Sequence, residues 1–574
     1  MQSDMLKYIL FGVVALIVFT LLRQWNDFSS VYEKNLQLKT NNSIGVANYI
    51  SDQTLQDKDK HQESRSSKEK FNMLGDGEEP AAPYSEHLSQ YITAETDTLK
   101  VLIDKRGGDI VKVELLKHKK SLDEPNQPFV LLEKDSRNYY ARSGLKKIND
   151  NAKRFYSSDE NYYKLIDGEE LVINLTYIES DGVELTKRYT MKREDYLIDV
   201  EHLITNETNS DWSGFFFAHL IRDESPAPGS ENAAFGIKSF LGAATTTSEK
   251  KYKKVSFKDM RKERFNSVTK DGWVAMIQHY FVSAWVPKGG DEFNYYTKVY
   301  ESSPPLFSIG LNKRVFVQPG EKKVVGAQFY AGPKDQYRLE KISPHLDLTV
   351  DYGWLWMIAQ PLYTLLYFFA TGEAKLFGES YRLFSGVGNW GLAIIMLTVV
   401  IKAVFFQLSA KSYRSMANMR RVQPKLMAIK DQYGDDKQAQ SKAMMELYKK
   451  EKINPLGGCF PILIQMPVFI ALYWALMESV VLRHAPFILW IEDLSVMDPF
   501  FLLPFIMGAT MFFQQKLNPA PPDPMQAKIM QWMPVVFTFF FIFFPAGLVI
   551  YWVSNNVLSI AQQWYITRKI ERSS

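Results

Sequence analysis

The stretch NWGLAIIMLTVVIKAVFFQL, residues 389–408, decides how the rest of the chain is read. From Trp390 to Leu408 it is apolar apart from one charge, Lys402, and it runs directly into Ser409–Asn454, where eleven Lys or Arg stand against five acids. An apolar run of this length predicts a membrane-spanning helix, and the basic flank predicts that its C-terminal end faces the cytoplasm. A lysine inside such a span costs ~2.5–3.5 kcal/mol on insertion scales, so something must offset it. One reading is snorkelling, because Leu408 at the cytoplasmic end is only ~9 Å of helix rise away. The other is that Lys402 faces a watery cavity within a helix bundle, with Thr398 one turn earlier extending the polar stripe.

Toward the C-terminus four more apolar stretches follow, Leu456–Val481, Phe500–Phe513, Ile529–Phe544 and Gly547–Ile560, giving an all-α polytopic core of five helices. The last continues as a more polar helix in which Ser554, Asn555, Asn556, Ser559, Gln562 and Gln563 recur at helical spacing after Tyr551 and Trp552. Gln465 adds a polar group midway along its own span. Interhelical hydrogen bonding accounts for one or two such residues, and a polar lining accounts for all of them. No carboxylate lies at membrane depth to pair with Lys402, which differs from a proton relay and suits a transient peptide guest. Phe500–Phe513 and Ile529–Phe544 rise only ~21–24 Å against a hydrocarbon core of ~30 Å. They either thin the bilayer or are lengthened by snorkelling of Gln514, Gln515 and Lys528.

The basic segment reads as an αα-hairpin over 409–454, with helices at Tyr413–Tyr433, stopped by Gly434, and Lys437–Lys452, capped by Asp435 or Asp436. Met416, Met419, Met427, Met444 and Met445 offer adaptable apolar contacts or merely seal the hairpin. Arg420, Arg421 and Lys425 are among the charges that would meet acidic lipid, ribosomal RNA or a nascent chain.

Toward the N-terminus the composition changes. Gly353–Gly372 is uncharged and could span, but a second crossing would put the basic hairpin outside. Residues 351–388 are therefore read as a Trp- and Tyr-rich helix on the outer membrane surface, kinked near Pro361, and a connector. Over 88–350, short alternating runs (Leu99–Ile103, Asp109–Leu115, Tyr196–Ile204, Phe215–Leu220, Gly272–Trp285, Lys323–Tyr330) are separated by turns such as Arg106-Gly107-Gly108, Asp181-Gly182 and Pro319-Gly320, which predicts a large all-β sandwich. Residues 26–87 are too polar to bury a core and read as a tether. Tyr8–Leu22, between Lys7 and Arg23, predicts an anchor helix over 1–25. A cleaved signal peptide is the alternative, disfavoured because Arg23, Gln24 and Trp25 stand where small residues are wanted. The chain is thus expected to be a multi-domain membrane protein with a helical core over 389–574, both termini cytoplasmic and the β-domain external.

Net charge of +4, with acidic and basic residues interleaved, excludes a nucleic-acid-binding signature. The single cysteine, Cys459, allows no internal disulfide and no cysteine metal cluster, and its expected role is packing. The eight histidines lack metal-ligand spacing, and no G-x-S-x-G, HExxH or P-loop pattern occurs, so neither an enzyme nor a cofactor site is expected. His202, His219 and His279 read as core or surface residues.

NPLGGCFPILIQMPVFIALYWAL (Asn454–Leu476), preceded by QPK (Gln423–Lys425), GDDKQ (Gly434–Gln438) and NWG (Asn389–Gly391), closely resembles the YidC/Oxa/Alb family. DPMQAKIMQWMPVVFTFFF (Asp523–Phe541) and FPAGLVIYWVSNN (Phe544–Asn556) continue the match, which covers essentially the whole chain in the Gram-negative form with a periplasmic domain. The resemblance implies a membrane insertase and chaperone of the inner membrane, acting alone or with the Sec translocon. It implies a five-helix core around a hydrophilic groove open to cytoplasm and lipid but closed to the periplasm. The implied partners are newly made membrane proteins, the Sec translocon and its accessory subunits, the translating ribosome and the phospholipid bilayer. Thr398, Gln465, Met466, Phe469, Tyr551 and Trp552 match positions lining the groove or its substrate path, and Asn555 extends that lining. Lys402 stands where the family carries arginine, which keeps the charge but loses the forked guanidinium, and Trp552 occupies a site that is often tyrosine. The external domain resembles the sugar-mutarotase supersandwich without an acid and histidine pair suited to sugar chemistry. Two rivals remain at this point. A solute transporter would need repeats and counter-charges that the sequence lacks. A membrane-tethered sugar-binding or sugar-epimerising protein would place function in the β-domain.

Overall fold

The computed structural model describes residues 90–147, 154–228, 239–247, 250–376, 379–434, 436–451, 460–518 and 524–573. The anchor, the tether and Cys459 lie outside them. The described residues fall in one compact unit, 83–232 with 239–574.

The β-domain is two stacked sheets. The ten-stranded one runs Asn266–Lys270, Glu292–Tyr300, Leu306–Val317, Trp212–Arg222, Tyr140–Lys147, Asp109–Lys119, Leu99–Asp104, Tyr91–Glu95 and Tyr162–Lys164, with Pro128–Glu133 paired beside Asp109–Lys119. The eight-stranded one runs Lys253–Val255, Gly242–Thr245, Val274–Ile277, Phe281–Pro287, Lys322–Pro333, Leu197–Thr205, Glu184–Lys192 and Glu170–Ile178. Pairing is antiparallel except between Tyr91–Glu95 and Tyr162–Lys164. Alternation drives the layering: in Glu184–Lys192, Leu185, Lys187, Tyr189 and Met191 point inward while their neighbours face out. Phe216 and Leu220 of one sheet meet Trp285 and Phe329 of the other, and the Trp285 indole donates across the gap to the His219 carbonyl at 3.2 Å. The run Gly272–Trp285, read as one strand, is a hairpin in which Ile277 pairs with Val282. Its turn at 278–280 carries neither Gly nor Pro, so no sequence signal marked the break.

Short helices α1 (Lys134–Arg137), α2 (Phe257–Lys262) and α3 (Gln336–Ile342) decorate this domain. The helical part comprises α4 (Trp356–Thr371), α5 (Trp390–Val404), α6 (Phe406–Tyr433), α7 (Lys437–Lys450), α8 (Phe460–Met477), α9 (Leu502–Lys516), α10 (Pro524–Phe541) and α11 (Ala546–Ser573). The expected surface helix is α4. It buries Ala359, Tyr363, Leu366 and Ala370 along one face, while Trp356 and Met357 are exposed. The connector after it contains a small antiparallel pair, Glu373–Leu376 with Glu379–Arg382, which the sequence reading missed. Among the described residues no single helix is long and apolar enough to cross a membrane, whereas α5 and α6, bent by 67°, meet that length and composition only as a pair. The bend sits at Phe405, whose φ of −91° and ψ of 8° leave the helical region. The first helix therefore stops four residues short of the expected Leu408, and the hairpin's first helix starts at Phe406 instead of Tyr413. Gly434 ends α6 and Asp436 caps α7 through the Gln438 and Ala439 amides, as read from the sequence.

The β-domain is joined to the helices by a second apolar core in which Trp273, Tyr330, Leu346 and Tyr352 pack with Ala359 and Tyr363 of α4 and Ala471 and Ala475 of α8. Beside it the Lys334 ammonium pairs with the Glu478 carboxylate, their side chains 2% and 4% exposed. Ser239 donates to the same carboxylate at 3.0 Å, and the His279 ring meets the Met477 carbonyl at 2.7 Å. Arg483 donates to the Lys120 carbonyl at 2.9 Å and lies over the Phe129 and Phe281 rings. A buried pair of this kind adds little net stability, but removing one partner strands the other and costs ~3–5 kcal/mol. Lys334→Ala should therefore lower the unfolding midpoint of the full chain markedly, whereas Lys334→Met with Glu478→Met should recover most of the loss. Equal damage from both would contradict the stranded-charge account.

His202 and His219 are core residues, held well below the usual histidine range by burial. Burial and then the Arg483 guanidinium push the His118 imidazole down to about 4. An unfolded histidine titrates near ~6.5, so between that pH and about 4 the unfolded chain binds more protons and stability falls as the pH drops, by up to ~1.4 kcal/mol per pH unit for each such group. The unfolding midpoint should decline on acidification through this window, and His118→Gln should make the decline shallower. A midpoint that His118→Gln leaves with the same pH slope contradicts the assignment.

Candidate functional site

Helices α5, α8 and α11 bring together most of the polar residues singled out in the sequence. Lys402, in the last turn of α5, donates to Ser559 Oγ at 2.7 Å and to Gln465 Oε1 at 3.5 Å. Gln465 in turn donates to the Tyr551 hydroxyl at 3.2 Å and to Asn555 Oδ1. Ser559 also donates to the Asn555 carbonyl one turn back in its own helix at 2.7 Å. The ammonium is thus turned into the bundle, against snorkelling, and among the described residues no carboxylate meets it. Ser559, Asn555 and Tyr551 are 2%, 8% and 0% exposed, so this network is internal. Three helices supply it.

Above the network lies an aromatic cluster. Phe469 meets the Trp552 ring edge-on at 4.8 Å and the Tyr551 ring at 6.4 Å, while on α10 Phe537 stacks against Trp552 at 6.3 Å and Phe541 lies tilted to it at 5.0 Å. Trp552 Nε1 is buried without an acceptor among the described residues. Such an unpaired donor is costly in a low-dielectric site unless something accepts from it. Met466 projects outward, 42% exposed.

Two expectations are corrected by the geometry. Thr398 is fully buried, and its hydroxyl donates to the Ile394 carbonyl one turn back at 2.7 Å, so it does not continue a wet stripe. Ser and Thr in apolar helices commonly satisfy themselves this way. The cavity beside Lys402, lined by Ile401, Phe405, Leu408, Ser409, Gln465 and Val468, is about 20 Å³. That is room for a water, not for a peptide. In this conformation the polar side chains fill one another's hydrogen-bonding needs and close the space that an open groove would occupy.

The hairpin residues separate into two groups. Arg420 donates to the Lys516 and Leu517 carbonyls at 3.3 and 3.0 Å, closing the C-terminus of α9, and Lys425 pairs with Glu451 at 2.6 Å. Met416, Met419 and Met444 are half-buried, whereas Met445 and Arg421 face outward. At the opposite end Asp498, 1% exposed, accepts from the Leu503 amide at 2.7 Å and the Trp490 indole at 2.9 Å, which anchors the loop leading into α9. That role and the Ser559 contact were missed as specific partners. For Ser559 the available signal was its position one turn after Asn555. No group of three or more metal-capable side chains occurs among the described residues.

A two-layer β-domain packed on a bundle of short apolar helices that share one internal cation is the class of protein that the fold and the site define. Residues 382–573 match the family model of the 60Kd inner membrane protein, and residues 91–365 match that of the YidC periplasmic domain. The membrane protein insertase YidC of Alcanivorax borkumensis is 50% identical over 496 residues, 85% of this chain and 85% of its own. That of Stutzerimonas stutzeri is 46% identical over 577 residues, 99% of both chains. Among solved structures, an active YidC insertase with its first transmembrane domain resolved covers 84% of this chain and 93% of its own at 17% identity and a TM-score of 0.39. The chain belongs to the YidC family of membrane protein insertases. The family consists of insertases, not enzymes, and its members are inner-membrane proteins carrying a periplasmic domain.

Proposed function

We propose that this chain inserts integral membrane proteins into the bacterial inner membrane and helps them fold, through the polar site shared by α5, α8 and α11. The observation that carries the reading is Lys402, a cation with no carboxylate partner among the described residues, held by Ser559 and Gln465 inside apolar helices. A permanent counter-ion would neutralise that site. Neutral partners leave its charge available to a guest, and each hydrogen bond they make can be exchanged for one to a substrate's backbone or carboxylate.

The hydrophilic terminus or loop of a substrate enters from the cytoplasm, displaces the Lys402–Ser559 and Gln465–Asn555 contacts and opens the closed space. Its apolar segment moves into lipid beside Met466 and the Phe469–Trp552 cluster. A short helix reduces the low-dielectric distance to be crossed, since α9, fifteen residues long, rises only ~22 Å. Hydrophobic transfer of the apolar segment drives completion, so nucleotide hydrolysis is not required.

The accompanying topology has both termini in the cytoplasm, the anchor 1–25 crossing outward, a tether over 26–87, the β-domain 88–350 in the periplasm, the segment 351–388 on the outer surface and the core 389–574 in the membrane. The hairpin 409–454, with Met416, Met419, Arg420, Arg421, Lys425, Met444 and Met445, faces the translating ribosome, nascent chains and acidic phospholipid, and the Sec translocon with its accessory subunits works beside the core on larger substrates.

Depletion of the protein followed by protease protection of a small substrate with an acidic translocated terminus tests the reading. Insertion should fall on depletion, Lys402→Arg should restore it, and Lys402→Ala should leave it about tenfold slower, in keeping with one charge-assisted contact of ~1.5 kcal/mol. Insertion that persists without the protein rejects the function. Full activity of Lys402→Ala rejects the role of the cation.

A further inference from the structure

Away from the polar network, a cleft of about 230 Å³ opens between α3 of the β-domain and the end of α4. Its lining is Asp335, Tyr337, Arg338, Lys341, Tyr367 and Glu373, with Ala374. Two of these charges are already used in the structure. Asp335 caps α3 by accepting from the Tyr337 and Arg338 amides at 2.9 and 3.2 Å, and Arg338 pairs with Asp195, its Nε 3.2 Å from Oδ1. The other two charges face the cleft without an ion pair among the described residues: the Lys341 ammonium on the exposed side of α3 and the Glu373 carboxylate, whose only described side-chain contact is a long 3.5 Å hydrogen bond from the Tyr367 hydroxyl. Tyr337 and Tyr367 meet edge-on at 5.3 Å between the two walls.

The position of the cleft narrows the choice of ligand. Tyr367 also packs against Trp390, the first residue of α5, with ring centroids 6.1 Å apart. With α5 placed in the membrane as proposed above, Tyr and Trp gathered at its start mark the level of lipid headgroups, and the cleft then opens at that level. A cation and an anion on opposite walls, neither in an ion pair among the described residues, with aromatic rings between, fit a zwitterion better than a singly charged ion.

We propose that this cleft binds a phosphatidylethanolamine-type lipid headgroup in the outer leaflet, with its phosphate at Lys341 and its primary ammonium at Glu373 beside the Tyr337 and Tyr367 rings. The proposal rests on the membrane placement set out under the proposed function. A bound headgroup would bridge the β-domain to α4 at the point where α3 meets the membrane surface. Primary-amine headgroups are distinguished from choline headgroups because only the former can donate hydrogen bonds to a carboxylate.

The test uses the full chain in detergent with equal concentrations of short-chain phosphatidylethanolamine, phosphatidylglycerol and phosphatidylcholine, and native mass spectrometry to count retained lipid. Phosphatidylethanolamine should be retained roughly fivefold over the other two, the effect expected of one exposed charge pair. Lys341→Ala and Glu373→Gln should each abolish the preference. Glu373→Lys should transfer it to phosphatidylglycerol, a gain that misfolding cannot produce. Free phosphoethanolamine at the same concentration should displace little of the retained lipid. Equal retention of all three lipids, a preference untouched by these variants, or displacement by the free headgroup would overturn the lipid assignment. Substrate insertion by the unaltered protein, followed in vesicles with and without phosphatidylethanolamine, reports on the insertase reading separately.

Discussion

The arrangement of the helical core depends on how one ammonium group is kept out of hydrocarbon. Lys402 sits in an apolar helix, and its position is tolerable because Ser559 and Gln465 receive its protons from the far side of the bundle. Those two residues must therefore face α5, which fixes the rotation of α8 and α11. Gln465 then needs partners for its own amide and finds them in Tyr551 and Asn555. The aromatic cluster of Phe469, Phe537, Phe541 and Trp552 fills the space left above this polar layer, where no further hydrogen bonds are available.

The same logic operates at the junction with the β-domain. Lys334 and Glu478 are buried at the seam, and neither could be there alone. Their pairing sets where the end of α8 meets the eight-stranded sheet, while Trp273, Tyr330 and Tyr363 supply the apolar contact that holds it. The polar core and the external domain are linked through α8, which carries Gln465 in its first half and Glu478 directly after its last turn. Under the proposed function, a substrate that displaces Gln465 acts on a helix whose other end is pinned, which favours movement of α5 or α11 over α8.

Much of this was readable from the sequence because charge and polarity in an apolar segment cannot be idle. Lys402, Gln465, Tyr551 and Asn555 were expected to line a wet groove, and they lie together but hydrogen-bonded to one another. The two-sheet domain followed from alternation and from glycines such as Gly107 and Gly182, whose φ of 87° and 93° suit the turns that they form. What was not readable depended on long-range geometry or on choices that one residue type leaves open. Thr398 could serve a stripe or its own helix, and only the packing decides. The break at Phe405 carries no proline or glycine. Lys334 and Glu478 lie 144 residues apart, and each alone reads as an ordinary surface charge. The size of the groove was also beyond the sequence, because a set of polar side chains lines an open space or closes it with equal ease. Here they close it.

Under the proposed function, water reaches the polar layer around Lys402 from the cytoplasmic side alone, although its resting cavity is only about 20 Å³. The most direct measurement replaces Cys459 by serine, introduces Ser559→Cys in the full chain and follows its reaction with a membrane-impermeant thiol reagent applied separately to each face of the membrane. Modification from the cytoplasmic face, with none from the periplasmic face, is the expected result. A thiol that reacts from outside, or from neither side while a cysteine placed in the hairpin reacts freely, would contradict the account.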